Sequence, residues 1–151
     1  MLNGSQLANL LVISSLFLVG SIEASEKMNQ LIEICTAGLD LPPDMIQRYR
    51  KTDFPDDPAT KCMLRCIGLN LGVYDDLNGV HMHDTWLMFR DGREDASEEK
   101  SFADRHYRCI EKELAQVREH DYCGRVYAVY QCYKDEFQTL MRKLRNDAGR
   151  D

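Results

Sequence analysis

Six cysteines, Cys35, Cys62, Cys66, Cys109, Cys123 and Cys132, are the side chains of this chain best placed for covalent chemistry. In an oxidising compartment that chemistry is cross-linking, and an even number of thiols in a short chain reads as a disulfide framework. Six cysteines allow fifteen pairings. Cys62 and Cys66 stand one helical turn apart on one face, where a mutual bridge is strained. Cys123 and Cys132, nine residues apart, would lie about 13 Å from each other along a helix, beyond the ~7 Å Cα limit of a disulfide. Excluding both pairs leaves ten pairings open. Each bridge contributes on the order of 2–4 kcal/mol. A shell stapled in this way tolerates an unfilled interior, which packing alone penalises at about 24 cal/mol per Å³ of cavity.

Other reactive constellations are weak. His81-x-His83-Asp84 is a short cluster of a kind that surface turns often produce, and it does not by itself make a metal site. Asp76-Leu77-Asn78-Gly79 resembles part of a calcium loop, but aligning Gly79 with the required glycine puts Tyr74 at the first ligand position and Thr85 at the last. Zinc held by these thiols is disfavoured in an oxidising compartment at these gaps. Neither a Gly-x-Ser-x-Gly elbow nor a His-Glu-x-x-His pair occurs. The expectation is a non-enzyme with no cofactor and no metal.

The run Leu10 to Val19 is almost wholly apolar and leads into Gly20, Ser21, Ala24 and Ser25, the pattern of a secretory signal and its cleavage region. It is too short to span a bilayer, which takes about 20 residues. Residues 1–24 are therefore expected to be a signal peptide cut after Ala24, with one domain over residues 25–151. Removing Glu23 moves the formal net charge from −6 to −5. The product is expected to be secreted and extracellular, without stable membrane insertion. An acidic domain lacking a basic stripe is not built for nucleic acid.

Periodicity makes the domain all-α. Met28, Leu31, Ile32 and Cys35 recur at helical spacing and predict a first helix ending near Ala37, before Gly38. Pro42 and Pro43 open a short second helix carrying Met45, Ile46 and Tyr49, which Asp53-Phe54-Pro55 ends. A third helix is predicted from Ala59 to Leu71, stopping at Gly72, and residues 75–79 read as a turn. A fourth runs from Asp84 to Arg90, before the polar stretch 91–95. Asp95 and Glu98 resemble a capping box for a fifth helix, whose stripe is Phe102, Ala103, Tyr107, Ile110, Leu114 and Val117. The sixth carries Cys123, Val126, Tyr127, Tyr130, Tyr133, Phe137, Leu140, Met141 and Leu144 on one broad face. The methionines, tyrosines and single tryptophan read first as an ordinary core. They are also suitable lining for a cavity.

The spacing Cys35-x26-Cys62-x3-Cys66-x42-Cys109-x13-Cys123-x8-Cys132 resembles the six-cysteine pattern of insect odorant-binding proteins of the pheromone-binding and general odorant-binding type. The x3 and x8 gaps are its most specific marks. The Asp53-Phe54-Pro55 break and the helix from Cys66 to Gly72, followed by an Asp-rich turn with Gly79, agree with it. The resemblance covers essentially the whole mature chain. It implies a compact domain of about six helices around a hydrophobic pocket, held by three interlocked disulfides: Cys35 with Cys66, Cys62 with Cys123, Cys109 with Cys132. The thirteen-residue gap is long for the family and adds Gln116 to His120 to the connection after helix five.

By this resemblance the protein carries small hydrophobic ligands, odorants or pheromones, through aqueous fluid and hands them to a chemosensory receptor, as a monomer or weak homodimer. Wall candidates chosen by helical face are Met63, Ile67, Leu71, Trp86, Leu87, Tyr107, Ile110, Leu114, Tyr127, Tyr130 and Phe137. His81, His83, His106 and His120 are simplest as uncoupled surface groups; the sharper reading is a switch that loosens the pocket on acidification. The rival classes are a carrier working outside olfaction, in haemolymph, gut or reproductive fluid, and a pocketless secreted signalling or defence protein.

Overall fold

The computed structural model describes residues 24–90 and 95–148. Residues 1–23 of the expected signal peptide and residues 91–94 of the polar stretch lie outside these. Six helices form in order: α1 (24–38), α2 (Pro43–Arg50), α3 (Pro58–Leu71), α4 (Met82–Phe89), α5 (Ala96–Leu114) and α6 (Tyr122–Ala148).

Helix α1 buries Met28, Leu31, Ile32, Cys35 and Thr36, the inward stripe expected of a helix lying on a core. It runs through Gly38 rather than stopping before it. Pro43 starts α2 and Pro58 starts α3, where a missing N–H costs nothing. The Asp57 side chain caps α3 by accepting from the Thr60 amide at 2.7 Å. Gly72 ends α3 in the left-handed conformation, φ +73°, which a residue without a Cβ adopts freely. Asp95 caps α5 by accepting from the Ser97 and Glu98 amides, and Asp121 accepts from the Gly124 amide at 2.9 Å in the first turn of α6.

The segment expected to be a plain turn is a small antiparallel hairpin, β1 (Tyr74–Asp75) and β2 (Gly79–Val80), with Tyr74 opposite Val80. The cause is local. Asp75 Oδ1 accepts from the Leu77 and Asn78 amides at 2.8 and 2.7 Å, and Gly79 takes φ +79°, so the reversal is tight enough to pair the flanking backbone. Helix α4 correspondingly begins at Met82, two residues earlier than its pattern indicated.

On α5 the expected stripe is rotated. Phe102, His106 and Ile110 are buried, while Tyr107 is 49% exposed. Cys109 is bridged to Cys132 of α6, which sets the roll of α5 so that the 102–106–110 seam faces inward.

Two aromatic clusters occupy the interior. Tyr49 stacks on Phe54 at 5.3 Å, and Phe54 meets Phe137 at 5.6 Å and Tyr130 at 5.8 Å. On the other side, Trp86 lies 5.2 Å from Phe102, and Tyr133 contacts Phe89 at 5.6 Å and stacks on His106 at 4.3 Å. The disulfides Cys35–Cys66, Cys62–Cys123 and Cys109–Cys132 join α1 to α3, α3 to α6 and α5 to α6.

The bridges close loops of different length, with sequence separations of 61 for Cys62–Cys123 and 23 for Cys109–Cys132. Loop-closure entropy makes the longer one worth about 0.9 kcal/mol more. Unfolding in denaturant should accordingly show a larger loss for the double variant Cys62→Ser/Cys123→Ser than for Cys109→Ser/Cys132→Ser.

Candidate ligand-binding site

Between the two aromatic clusters lies a cavity of about 80 Å³. Helix α3 contributes Leu64, Ile67, Gly68 and Leu71, positions three and four apart on one face. Helix α6 contributes Val126, Val129, Tyr130, Tyr133 and Phe137 at the same spacing. The hairpin region adds Val73, Tyr74 and Val80, and α4 adds Thr85, Met88 and Phe89. Gly68 allows the hairpin to approach α3 closely, since a Cβ there would stand 3.3 Å from the Tyr74 Cβ.

The wall surface is apolar, and four of the residues that build it carry hydroxyl groups. Thr85 Oγ1 donates to the His81 carbonyl at 2.8 Å, and the Tyr133 hydroxyl donates to Met82 Sδ at 3.1 Å. The Arg125 guanidinium lies near the Tyr74 phenol and opposes the upward push of burial on it. The Tyr130 hydroxyl is buried with no hydrogen-bond partner among the described residues, and burial pushes this phenol up to about 12. Burial also raises Tyr133 and Tyr74. No charged side chain stands on the wall.

Of the wall residues expected from the sequence, the structure places Ile67, Leu71, Tyr130 and Phe137 on this cavity. The others lie elsewhere. Met63 is completely buried but accepts a contact from the Thr36 hydroxyl, toward α1. Trp86 packs on Phe102 beneath the Arg90 guanidinium, so α4 turns Thr85, Met88 and Phe89 to the cavity instead of Trp86 and Leu87. Ile110 and Leu114 belong to the core around α5, and α5 supplies no wall residue; Tyr107 points outward. Tyr127 faces the Lys61 ammonium, 5.2 Å from its ring. Leu64, Gly68, Val126, Val129, Tyr133 and the hairpin residues were missed. Helical periodicity identifies apolar faces, but α3 and α6 are apolar over more than one face and the cavity uses only one.

Two larger recesses are polar. One of about 410 Å³ lies among Ser25, Met28, Asn29, Arg50, Met141, Leu144 and Arg145, and one of about 290 Å³ among Arg90, Ser97, Glu98, Ser101, Phe102 and Arg105. An apolar molecule gains most from a wall without charges, which favours the smaller cavity. Ligand pockets usually measure about 300–1,000 Å³. Occupancy by a molecule of that class therefore moves wall side chains, with Met88 the most adaptable of them.

The histidines do not converge on a metal. Among the described residues no group of three or more His, Cys, Asp or Glu side chains is arranged to hold one. His83 Nδ1 meets Glu99 at 2.7 Å, whereas His81 faces the hairpin. His106 is buried, with Nδ1 on the Phe102 carbonyl at 2.8 Å and Nε2 on Glu136 at 3.2 Å. His120 lies exposed in the connection to α6.

His81 is the histidine tied to the cavity wall. Its Nε2–H donates to Asp75 Oδ2 at 2.7 Å and its Nδ1–H to the Gly72 carbonyl at 2.8 Å, and Asp84 lies 3.9 Å away. Both main partners are pure acceptors, so the ring binds them as imidazolium. Asp75 and then the Gly72 carbonyl raise the His81 pKa above 6.5. The Asn78 N–H groups, then His81, then the Leu77 amide hold Asp75 well below the usual carboxylate range. Acid therefore strengthens this tie, opposite in sign to the acid-driven loosening of the sharper reading, and His81 is not the uncoupled surface group of the simpler one.

A helical shell cross-linked three times and closing on an uncharged, apolar cavity defines a class of small disulfide-bonded proteins built around an internal recess. This chain belongs to the PBP/GOBP family, which it matches over residues 21–136. It is 20% identical to odorant-binding protein 22 of Aedes aegypti over 81% of this chain and 83% of that one. It is 22% identical to general odorant-binding protein 99b of Drosophila melanogaster, over 80% and 79%. Among solved structures, odorant-binding protein 22a of Anopheles gambiae superposes with TM-score 0.62 at 36% identity, covering 72% of this chain and 98% of that one. The same Anopheles protein with bound odorant cyclohexanone gives TM-score 0.63 at 33% identity, over 80% and 96%. Among the described residues no helix is long and apolar enough to cross a membrane.

The sign of the His81 effect is testable. Its raised pKa gives a contribution fully present below about 6.5 and lost as pH rises through the folded value; that of Asp75, with its lowered pKa, is present above about 3.8 and lost as pH falls through its folded value. Amide exchange at Tyr74, Asp75, Gly79 and Val80, corrected for intrinsic rate, should show greater protection at pH 5.5 than at pH 8.5. His81→Gln should remove the difference.

Proposed function

We propose that this protein is an extracellular carrier of small hydrophobic molecules, odorants or pheromones, which it takes into the apolar cavity, solubilises and delivers to chemosensory receptors. The observation that carries this reading is the uncharged cavity between α3, α4, α6 and the hairpin, in a chain of the PBP/GOBP family. Cyclohexanone bound to the Anopheles relative supports the same ligand class here. Ile67, Leu71, Tyr130 and Phe137 are the wall residues on which sequence and cavity agree. A ligand with roughly 200 Å² of apolar surface gains about 5 kcal/mol on burial, which suits reversible, submillimolar or tighter capture.

Secretion belongs to the reading: residues 1–24 act as the signal peptide, and the working protein is a monomer or weak homodimer. Protein recovered from the medium of an insect-cell culture should have Ser25 as its first residue by N-terminal sequencing.

The central test is displacement of a fluorescent apolar probe from the oxidised protein by volatile alcohols, aldehydes, ketones and esters. Saturable 1:1 binding with competition is expected. Val129→Trp, which puts a large ring into a space of about 80 Å³, should weaken probe binding at least tenfold. Absence of probe binding by folded wild-type protein would overturn the carrier reading.

A further inference from the structure

We infer that Asn78 is a deamidation site, and that its conversion to aspartate or isoaspartate unfastens the hairpin from the cavity as the protein ages. Asn78 is the one asparagine followed by glycine in residues 25–151, and it stands exposed in the reversal between β1 and β2. Gly79 has no side chain to crowd its backbone nitrogen, so that nitrogen can reach the neighbouring carboxamide. Hydroxide takes the Gly79 N–H proton, the nitrogen bonds to Asn78 Cγ, and the Cγ–Nδ2 bond breaks, ammonia leaving with a proton from water. A second water opens the cyclic imide, at Cγ to give aspartate or at the main-chain carbonyl to give isoaspartate. The sum is one amide and one water converted to a carboxylate and an ammonium ion, with nothing oxidised or reduced. Asn29, Asn70 and Asn146 precede larger residues and lie within α1, α3 and α6, where the next backbone N–H is committed to the helix ladder. The Asn70 carboxamide is further held by the Cys66 carbonyl at 2.8 Å.

The Asn78 carboxamide is itself part of the hairpin's fastening. Its Nδ2 donates to Asp75 Oδ2 at 3.0 Å and to Oδ1 at 3.3 Å, while the Asn78 amide donates to Oδ1 at 2.7 Å. The same Asp75 Oδ2 receives the His81 Nε2–H. While these bonds hold, the carboxamide is turned to Asp75 and Gly79 is kept opposite Asp75 in the ladder, so the reaction waits on opening of the hairpin. Once it has occurred, the fastening does not re-form. In aspartate, a carboxylate oxygen replaces the donor that stood 3.0 Å from Asp75 Oδ2, setting two acceptor-only anions against each other. In isoaspartate the main chain gains a methylene, and the pairings Tyr74–Val80 and Asp75–Gly79 lose their common register. Tyr74 and Val80 are wall residues, so the cavity opens on the side that no disulfide ties. That ligand then leaves more readily rests on the carrier reading; the loss of pairing does not.

The test ages the oxidised wild-type protein at pH 8.5 and 37 °C and follows each asparagine by peptide mass mapping, with isoaspartate distinguished by electron-transfer fragmentation. Asn78 is expected to convert well ahead of Asn29, Asn70 and Asn146, and faster still in His81→Gln, which frees Asp75. The aged form, separated by anion exchange, is compared with Asn78→Asp and with Asn78→Gln, which keeps a carboxamide but forms the imide far more slowly. In the aged form and in Asn78→Asp, amide protection at Tyr74 and Val80 and affinity for the fluorescent probe are each expected to fall about tenfold, equivalent to about 1.4 kcal/mol. Asn78→Gln should stay unmodified over the same period. Conversion of all four asparagines at like rates would overturn the site, and unchanged protection in both acidic forms would overturn its effect on the hairpin. Reduced protection with unchanged probe affinity would overturn the release of ligand. Fresh wild type that binds no probe would overturn the carrier reading alone, since exchange reads the hairpin without ligand.

Discussion

The contact on which the rest of the molecule depends is the pinning of α3 against α6. Cys62 in the second turn of α3 is bonded to Cys123 in the first turn of α6, and the two helices then run together with their inner faces opposed. Nine of the cavity's wall residues come from these two helices. The other bridges attach to the same pair, Cys35–Cys66 bringing α1 onto α3 and Cys109–Cys132 bringing α5 onto α6. Without the central link, the opposed faces would gain more by closing on each other, since every unfilled volume in an unconstrained core is a loss. The covalent frame is what makes an internal void compatible with a stable fold.

Much of this architecture is legible in the chain, because helix signals here are strong and local. Pro43, Gly72 and Asp95 mark helix ends by steric and hydrogen-bonding rules that need no tertiary context, whereas Asp57 and Pro58, which cap and open α3, read only as part of the break before it. The bridges are another matter. Helix spacing alone left ten pairings, and only likeness to a known cysteine pattern chose among them; the structure carries that same set. The hairpin was read as a turn because its four paired residues are too few to show alternation. Its cause, the Asp75 carboxylate gathering two amides, is a local effect visible only once that side chain is seen to fold back.

The wall was less legible than the fold, for a geometric reason. A helix packed on several neighbours buries more than one face, and sequence periodicity reports burial, not what the buried face meets. Met63 and Ile67 are four residues apart and both buried, yet only Ile67 borders the cavity. On α5 the stripe was misjudged by about one residue's rotation, placing Tyr107 where His106 belongs. That error has a physical source. An imidazole is buried only when its nitrogens find hydrogen-bond partners, and Glu136, which faces it, lies thirty residues away on another helix.

The hairpin and the residue before it supply three wall positions, Val73, Tyr74 and Val80, from a segment outside the disulfide-linked helices. Its shape rests on other residues: Gly72 ending the helix, Asp75 and Gly79 making the reversal, His81 tying its base. Shape and surface are thus written in separate letters of one short stretch. At Val73 and Val80, a change of side chain alters the contour offered to a ligand without touching the reversal or the covalent frame, so lineages sharing this fold have a cheap route to divergent tastes in cargo.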